Sequence, residues 1–237
     1  MTELNDQAQQ QQTPEKKDLT YWNSQWCNNK IGFHRLTVNP DFEKYVLSKI
    51  ISVEQQQSIL FPLSGKTVDM KAALDSKHQV IGIECAQLGI ESFFQENNIK
   101  YNIENNECQV YKGIDYPVTI FHDNFLTFNQ TLPTIDWIWD RAALVAVNLS
   151  DREQYRDNLL RLMTPGHTRL YLVAVCYDDP ELTGPPHSVS DEDVISLFGS
   201  TCSIELISVN DTTADFIANS HRNVRLMEEH LHLIIRK

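Results

Sequence analysis

The residues best placed to do chemistry lie in the stretch Ser58-Ile59-Leu60-Phe61-Pro62-Leu63-Ser64-Gly65-Lys66 and in the acid that answers it, Glu84. An apolar run of strand length breaks at Pro62 and Gly65, then passes into a segment of helical period from Thr67 to Leu74. A second apolar run, Val80-Ile81-Gly82-Ile83, ends on Glu84. Strand, glycine turn, helix, strand and acid form the first half of a nucleoside-binding α/β unit. Glu84 follows Gly65 by 19 residues, near the spacing of about 20 at which a carboxylate meets ribose hydroxyls. A single glycine stands where the dinucleotide fingerprint G-x-G-x-x-G needs several. That suits a nucleoside without phosphates better than a pyrophosphate on the helix N-terminus.

These residues need a scaffold, and the pattern supplies one. Helices are predicted over 39–51 (Asn39 as cap, Pro40 in the first turn), 66–76, 86–97 and 151–163. Ser150 and Glu153 read as a capping box for the last of these. Strands are predicted at 58–62, 79–84, 118–121, 135–139 and 170–175, the last near-continuously apolar, as when helices cover both faces of a sheet. A short helix capped by Ser190-Asp191-Glu192-Asp193 runs to Gly199. Two final strands, 203–209 and 225–235, are separated only by the turn-rich Asn210-Asp211-Thr212-Thr213. The expectation is a doubly wound α/β sheet with an antiparallel addition at one edge.

In such a sheet the ligand binds at the carboxyl ends of the strands, where strand order reverses. Those ends carry Leu63-Ser64-Gly65, Glu84, Asp123-Asn124 and Asp140-Arg141. Taken singly, each has a plain structural account: a tight turn, a helix cap, a local ion pair. Together they converge on one crevice. Near the N-terminus, Trp22 and Trp26 stand four apart on one helical face, before the loop Asn28 to His34. They are either a stripe packed on the core or an aromatic lid over a ligand.

Other chemistry is disfavoured. His230 and His232 alternate on a strand with no third ligand at an interpretable spacing, so no metal is expected and the pair reads as an edge-strand face. There is no G-x-S-x-G elbow, and Cys27 and Cys176 lack a visible base. The five cysteines are scattered and odd in number, which predicts reduced thiols in a cytoplasmic protein. A net charge of −12 without a basic cluster argues against nucleic acid. No apolar run approaches the roughly 20 residues of a membrane span, and the N-terminus lacks the features of a secretion signal. Residues 1–18, with the run Gln9 to Gln12, read as a disordered tail ahead of one domain, 19–237. Nothing in the pattern asks for an oligomer, so a monomer is expected, with a small molecule as partner.

Leu60-Phe61-Pro62-Leu63-Ser64-Gly65-Lys66, Val80 to Glu84, Ile138-Trp139-Asp140-Arg141-Ala142-Ala143-Leu144-Val145-Ala146 and Asp151-Arg152 resemble the thiopurine S-methyltransferase family. So do Trp22 to Trp26, Lys30 to His34, and Gly184-Pro185-Pro186. The resemblance implies a class I methyltransferase fold with a seven-stranded sheet, order 3-2-1-4-5-7-6, the last strand antiparallel. It also implies S-adenosylmethionine as cofactor, S-adenosylhomocysteine as product, and a small thiol as methyl acceptor in xenobiotic detoxification. By position, residues 19–57 would cover the cofactor, with Trp22, Trp26 and Phe33 above it. Leu63 and Gly65 would run beside its methionine part, Glu84 would accept the ribose hydroxyls, and Asn124 and Phe125 would flank the adenine. Arg141 would line both cofactor and substrate pockets and act in catalysis. Phe33, Arg141 and His187 would meet the substrate. Similar proteins methylate halide, thiocyanate or hydrogen sulfide, and a binding protein without turnover is a further alternative. Three departures bear on the acceptor: Ala142 replaces a usual glycine, His187 a usual aromatic, and Ala218 a usual arginine, with Arg222 nearby.

Overall fold

The computed structural model describes residues 17–220 and 222–237. Most of the predicted tail, residues 1–16, lies outside the described residues. The two tail positions that are described belong to the fold. Lys17 exchanges hydrogen bonds with the Asn148 side chain (2.9 and 3.0 Å), and the Asp18 carboxylate accepts the Tyr21 N–H.

Asp18 thereby caps helix α1, Leu19–Cys27. The predicted helix at 39–51 is a π-helical stretch, Phe42–Leu47, continuing into α2, Ser48–Ile51. Asn39 does cap it: its side-chain oxygen accepts the N–H groups of Asp41 and Phe42. The chain then alternates through β1 (Ser58–Pro62), α3 (Val68–Asp75), β2 (Gln79–Glu84) and α4 (Gln87–Glu96). An antiparallel hairpin follows, β3 (Tyr101–Asn105) and β4 (Gln109–Gly113), and then β5 (Val118–His122) and β6 (Trp137–Arg141). The remaining elements are α5 (Arg152–Leu162), β7 (Arg169–Cys176), α6 (Asp191–Phe198), β8 (Cys202–Asp211), α7 (Thr213–Ser220) and β9 (Glu228–Arg236).

The sheet has nine strands in the order β3-β4-β5-β2-β1-β6-β7-β9-β8, which corrects the expected seven. The seven expected strands keep their order, and the hairpin extends the sheet beyond β5. The hairpin escapes a pattern search because β3 is short and largely solvent-exposed, with only Tyr101 and Ile103 as apolar positions. Helix α7, also unexpected, separates the last two strands. Within the stretch expected to be a turn, Asp211 ends β8 and Thr213 starts the helix, the Asp211 carboxylate accepting the Thr213 N–H. The Ser150–Glu153 capping box does not form, because a 3-10 turn, Leu149–Asp151, precedes α5. A capping box forms at α6, between Ser190 and Asp193.

Alternation along the strands splits the core in two. Ile59, Phe61, Trp139 and Val173 face α3, α4 and the 42–51 segment. Leu60, Ile81, Ile138 and Leu172 face α5 and α6. Burial on both faces fixes the register, since a one-residue slip would exchange the two sets. The carboxyl ends of β1, β2, β6 and β7 are thereby held rigidly side by side.

Candidate functional site

A cavity of about 980 Å³ opens at those strand ends, at the upper end of the size of small-molecule sites. Trp22, Trp26, Phe33, Leu63, Gly65, Glu84 and Arg141 all line it. Of the remaining predicted site residues, Asn124, Phe125 and His187 do not. Phe125 is buried in the core against Tyr155, with ring centroids 4.8 Å apart. Asn124 caps its own turn by accepting the Leu126 N–H. His187 lines a separate shallow pocket beside Tyr177, while its neighbours Pro185 and Pro186 reach the cavity.

The floor is built by the turn after β1. Leu63 (φ 45°) and Gly65 (φ 50°) are both left-handed, which reverses the chain within three residues. A Cβ on Gly65 would sit 3.1 Å from the Trp26 indole, and one on Gly89 only 3.0 Å from it. Two glycines therefore let Trp26 lie flat on the turn and on the start of α4, where it is almost wholly buried. Phe33 meets Trp22 and Trp26 edge-on, each at 5.9 Å. The aromatic cluster thus has both of its proposed faces: Trp26 packs on the scaffold, and all three rings border the cavity.

Glu84 is 5% exposed. Its Oε2 accepts the Gly65 N–H at 2.7 Å and its Oε1 the Ala86 N–H at 2.8 Å. Burial pushes its carboxyl above the usual range, opposed by these same donors. The Cys85 thiol and backbone N–H are further donors to this carboxylate. Beside it, Ser64 Oγ is buried with no hydrogen-bond partner. The adjacent Cys85 thiol is pushed far up by burial and by the Glu84 charge, so it is no nucleophile.

The opposite wall is charged. Arg141 donates from Nη1 to the Phe33 carbonyl at 2.7 Å and lies 3.9 Å from Glu229. Glu229 also faces Arg35 at 3.7 Å, and Arg35 approaches Asp215 at 4.0 Å. Burial lowers the Arg141 pKa, and Glu229 opposes that shift. Arg222 borders the cavity as well, whereas Ala218 does not. Sequence reasoning missed Arg35, Asp215 and Glu229, which meet from far-apart segments. A signal for Glu229 was present: if His230 and His232 share one face of a strand, Glu229 takes the other. The histidines themselves correct an expectation. β9 lies between β7 and β8 and is no edge strand, and both rings face Asp191 of α6, at 2.8 and 2.9 Å.

Ala142, next to Arg141, has φ 60°, a conformation that favours glycine. Asp140 points the other way, into the core. It accepts the Tyr155 hydroxyl at 2.7 Å and the Leu144 N–H at 3.0 Å, closing the turn after β6.

Among solved structures, the chain is similar to a 1,6-didemethyltoxoflavin-N1-methyltransferase of Burkholderia thailandensis, crystallised with S-adenosylhomocysteine. The TM-score is 0.59 at 10% identity, covering 92% of this chain and 87% of that one. A S-adenosylmethionine-dependent methyltransferase of Anabaena variabilis gives 0.59 at 14% identity, covering 94% and 98%. Identities this low establish the fold alone. In sequence, the chain is 37% identical over 198 residues to the thiopurine S-methyltransferase of Bos taurus, covering 81% of this chain and 80% of that protein. It is 34% identical over 228 residues to a probable thiopurine S-methyltransferase of Danio rerio, covering 93% and 95%. The family model described as Thiopurine S-methyltransferase (TPMT) matches residues 17–237. The chain therefore belongs to the thiopurine S-methyltransferase family and is an S-adenosylmethionine-dependent methyltransferase.

Proposed function

We propose that this chain methylates the sulfur of a small aromatic or heterocyclic thiol, taken as its thiolate, in a detoxifying reaction. The observation that carries the reading is that one cavity is bordered by Glu84, at the end of β2, and by Arg141, at the end of β6, from either side of β1.

The Glu84 wall fits the cofactor. The Glu84 carboxylate borders the cavity and is held in place by backbone N–H groups, and a carboxylate at the end of this strand is the group that meets ribose hydroxyls. Bound S-adenosylmethionine supplies a methyl group activated on a positively charged sulfonium. Trp22, Trp26 and Phe33 suit that charge, because aromatic faces attract cations. Helix α1 and the segment through residue 57 act as the cover that keeps water out.

The Arg141 wall fits the acceptor. A guanidinium beside a thiol favours the anion and lowers the thiol pKa, by about 1–3 units for a close opposite charge. The Phe33 carbonyl fixes that guanidinium in place, so it needs little reorganisation as charge moves. Holding an ionised acceptor in line with the methyl, away from water, supplies most of the acceleration, and no strong general base is required. Val175 and Phe216 give the remaining space an apolar lining. A cavity of this size favours a ring-bearing acceptor over halide, thiocyanate or hydrogen sulfide.

The test is a panel of matched acceptors with purified protein and S-adenosylmethionine, read by mass spectrometry: an aromatic thiol, its phenol and its aniline. The thiol is expected to be methylated well ahead of the other two. Preference for the phenol or the aniline would overturn the reading. Binding of the cofactor without methylation of any thiol would point to a protein without turnover.

A further inference from the structure

Outside the cavity, behind β7 and β9, Cys176, Asp191 and His230 bring a sulfur, a carboxylate oxygen and an imidazole nitrogen within 4.8 Å of one another. They come from three elements: the end of β7, the start of α6, and β9. We propose that Cys176, Asp191 and His230, with His232 in reach, bind a divalent transition metal of the zinc type, which ties together the two ends of the 177–190 loop.

The geometry is close to what such an ion needs. Bond lengths of about 2.0–2.3 Å around a tetrahedral zinc place neighbouring ligand atoms about 3.3–3.6 Å apart. His230 Nδ1 and His232 Nε2 already lie 2.8 and 2.9 Å from the same oxygen, Asp191 Oδ1. The widest separation in the set, at most 4.8 Å, closes to that tetrahedral spacing with a shift of about 1.2–1.5 Å. The donor set is also right: thiolate and imidazole together select zinc and its neighbours over calcium or magnesium.

One carboxylate oxygen serves both imidazoles, so the two nitrogens that would ligate, His230 Nδ1 and His232 Nε2, already converge on a single point. The surroundings are anionic: Glu228 Oε2 is 3.6 Å from His230 Nε2, and Glu192 and Asp193 follow Asp191 on α6. Arg152, 4.0 Å from Asp193, is the nearby cation. The Cys176 thiol donates to the Val189 carbonyl at 3.0 Å, and on coordination it would give up that proton and bind as the thiolate.

The placement has a consequence for the cavity. Cys176 precedes the 177–190 loop and Asp191 follows it, and the loop carries Pro185 and Pro186 into the cavity wall. An ion here would hold the base of that wall. Spacing alone hides the set, because its members are brought together only by sheet pairing and by α6.

The experiment uses the full chain, treated with chelator and titrated with Co2+, then with Zn2+ in competition. Wild type is expected to take up about one equivalent of cobalt with a thiolate-to-cobalt charge-transfer band, displaced by zinc. Cys176→Ser should lose the band, and His230→Gln should bind zinc at least tenfold more weakly. Cys27→Ser, an exposed thiol elsewhere, should behave as wild type. As a check on folding, Zn2+ should raise the unfolding midpoint of wild type and of Cys27→Ser, but not of Cys176→Ser. Absence of the band in wild type, its survival in Cys176→Ser, or unchanged zinc affinity in His230→Gln would each overturn the proposal.

Discussion

Two buried carboxylates end the two strands that flank β1, and they do opposite things. Glu84 closes β2 and Asp140 lies at the end of β6, and both are almost wholly out of solvent. Each accepts hydrogen bonds on both oxygens. Glu84 is held by backbone N–H groups and borders the cavity. Asp140 turns into the core, where Tyr155 and Leu144 hold it, and leaves the cavity to its neighbour Arg141. Strand alternation makes the difference: shifting an acid by one position moves it from ligand wall to scaffold. A buried acid at a strand end is therefore not evidence of a site until the side it faces is known.

The contrast can be broken most severely at Asp140. Asp140→Ala leaves the Tyr155 hydroxyl and the Leu144 N–H buried and unpaired, at about 1–3 kcal/mol each. Urea unfolding should show a loss of about 2–5 kcal/mol, while the folded fraction binds S-adenosylhomocysteine as wild type does.

A pH series separates the charge of Asp140 from its hydrogen bonds. Burial pushes its carboxyl up to about 6 from an ordinary 3.8. The folded state thus holds the proton more tightly than the unfolded chain. Its contribution is fully present below about pH 3.8 and is lost as pH rises through about 6. The amount is on the order of 3 kcal/mol, at 1.36 kcal/mol per unit. Asp140→Asn should flatten that part of the unfolding free energy between pH 4 and 7. An unchanged slope would mean that other groups set it.

Glu84→Ala should act on the ligand. Calorimetry with S-adenosylhomocysteine is expected to show affinity weakened by about 1.5–3 kcal/mol, the range for hydrogen bonds to a charged group. A loss of a few tenths or less would remove Glu84 as the ribose ligand. The smallest effect should come from Ala142→Gly, which relieves a left-handed alanine beside Arg141. A gain in stability of about 1 kcal/mol is expected.

The Glu84 side of the cavity was the more legible in the sequence, and for a physical reason. The turn at Leu63-Ser64-Gly65 and the acid at Glu84 belong to one strand–helix–strand unit, so local spacing specifies them. The charged Arg141 side is assembled from Arg35, Arg141, Asp215 and Glu229, which no local pattern connects. Similar logic divides the fold. Strands with two buried faces stand out as apolar runs, whereas β3 at the sheet edge is short, mostly exposed and has only Tyr101 and Ile103 to mark it. Phe125 shows the limit of transferring roles by position: it ends in the core against Tyr155, beneath the site rather than in it.

The proposed chemistry requires a thiolate acceptor held beside Arg141. The direct test is the pH profile of kcat/KM for one aromatic thiol that ionises above neutrality, in wild type and in Arg141→Ala. In wild type the profile should rise and level off below the pKa of the free thiol. In Arg141→Ala the levelling should move upward by about 1 unit or more. Superimposable profiles, or a rate indifferent to ionisation of the thiol, would contradict it.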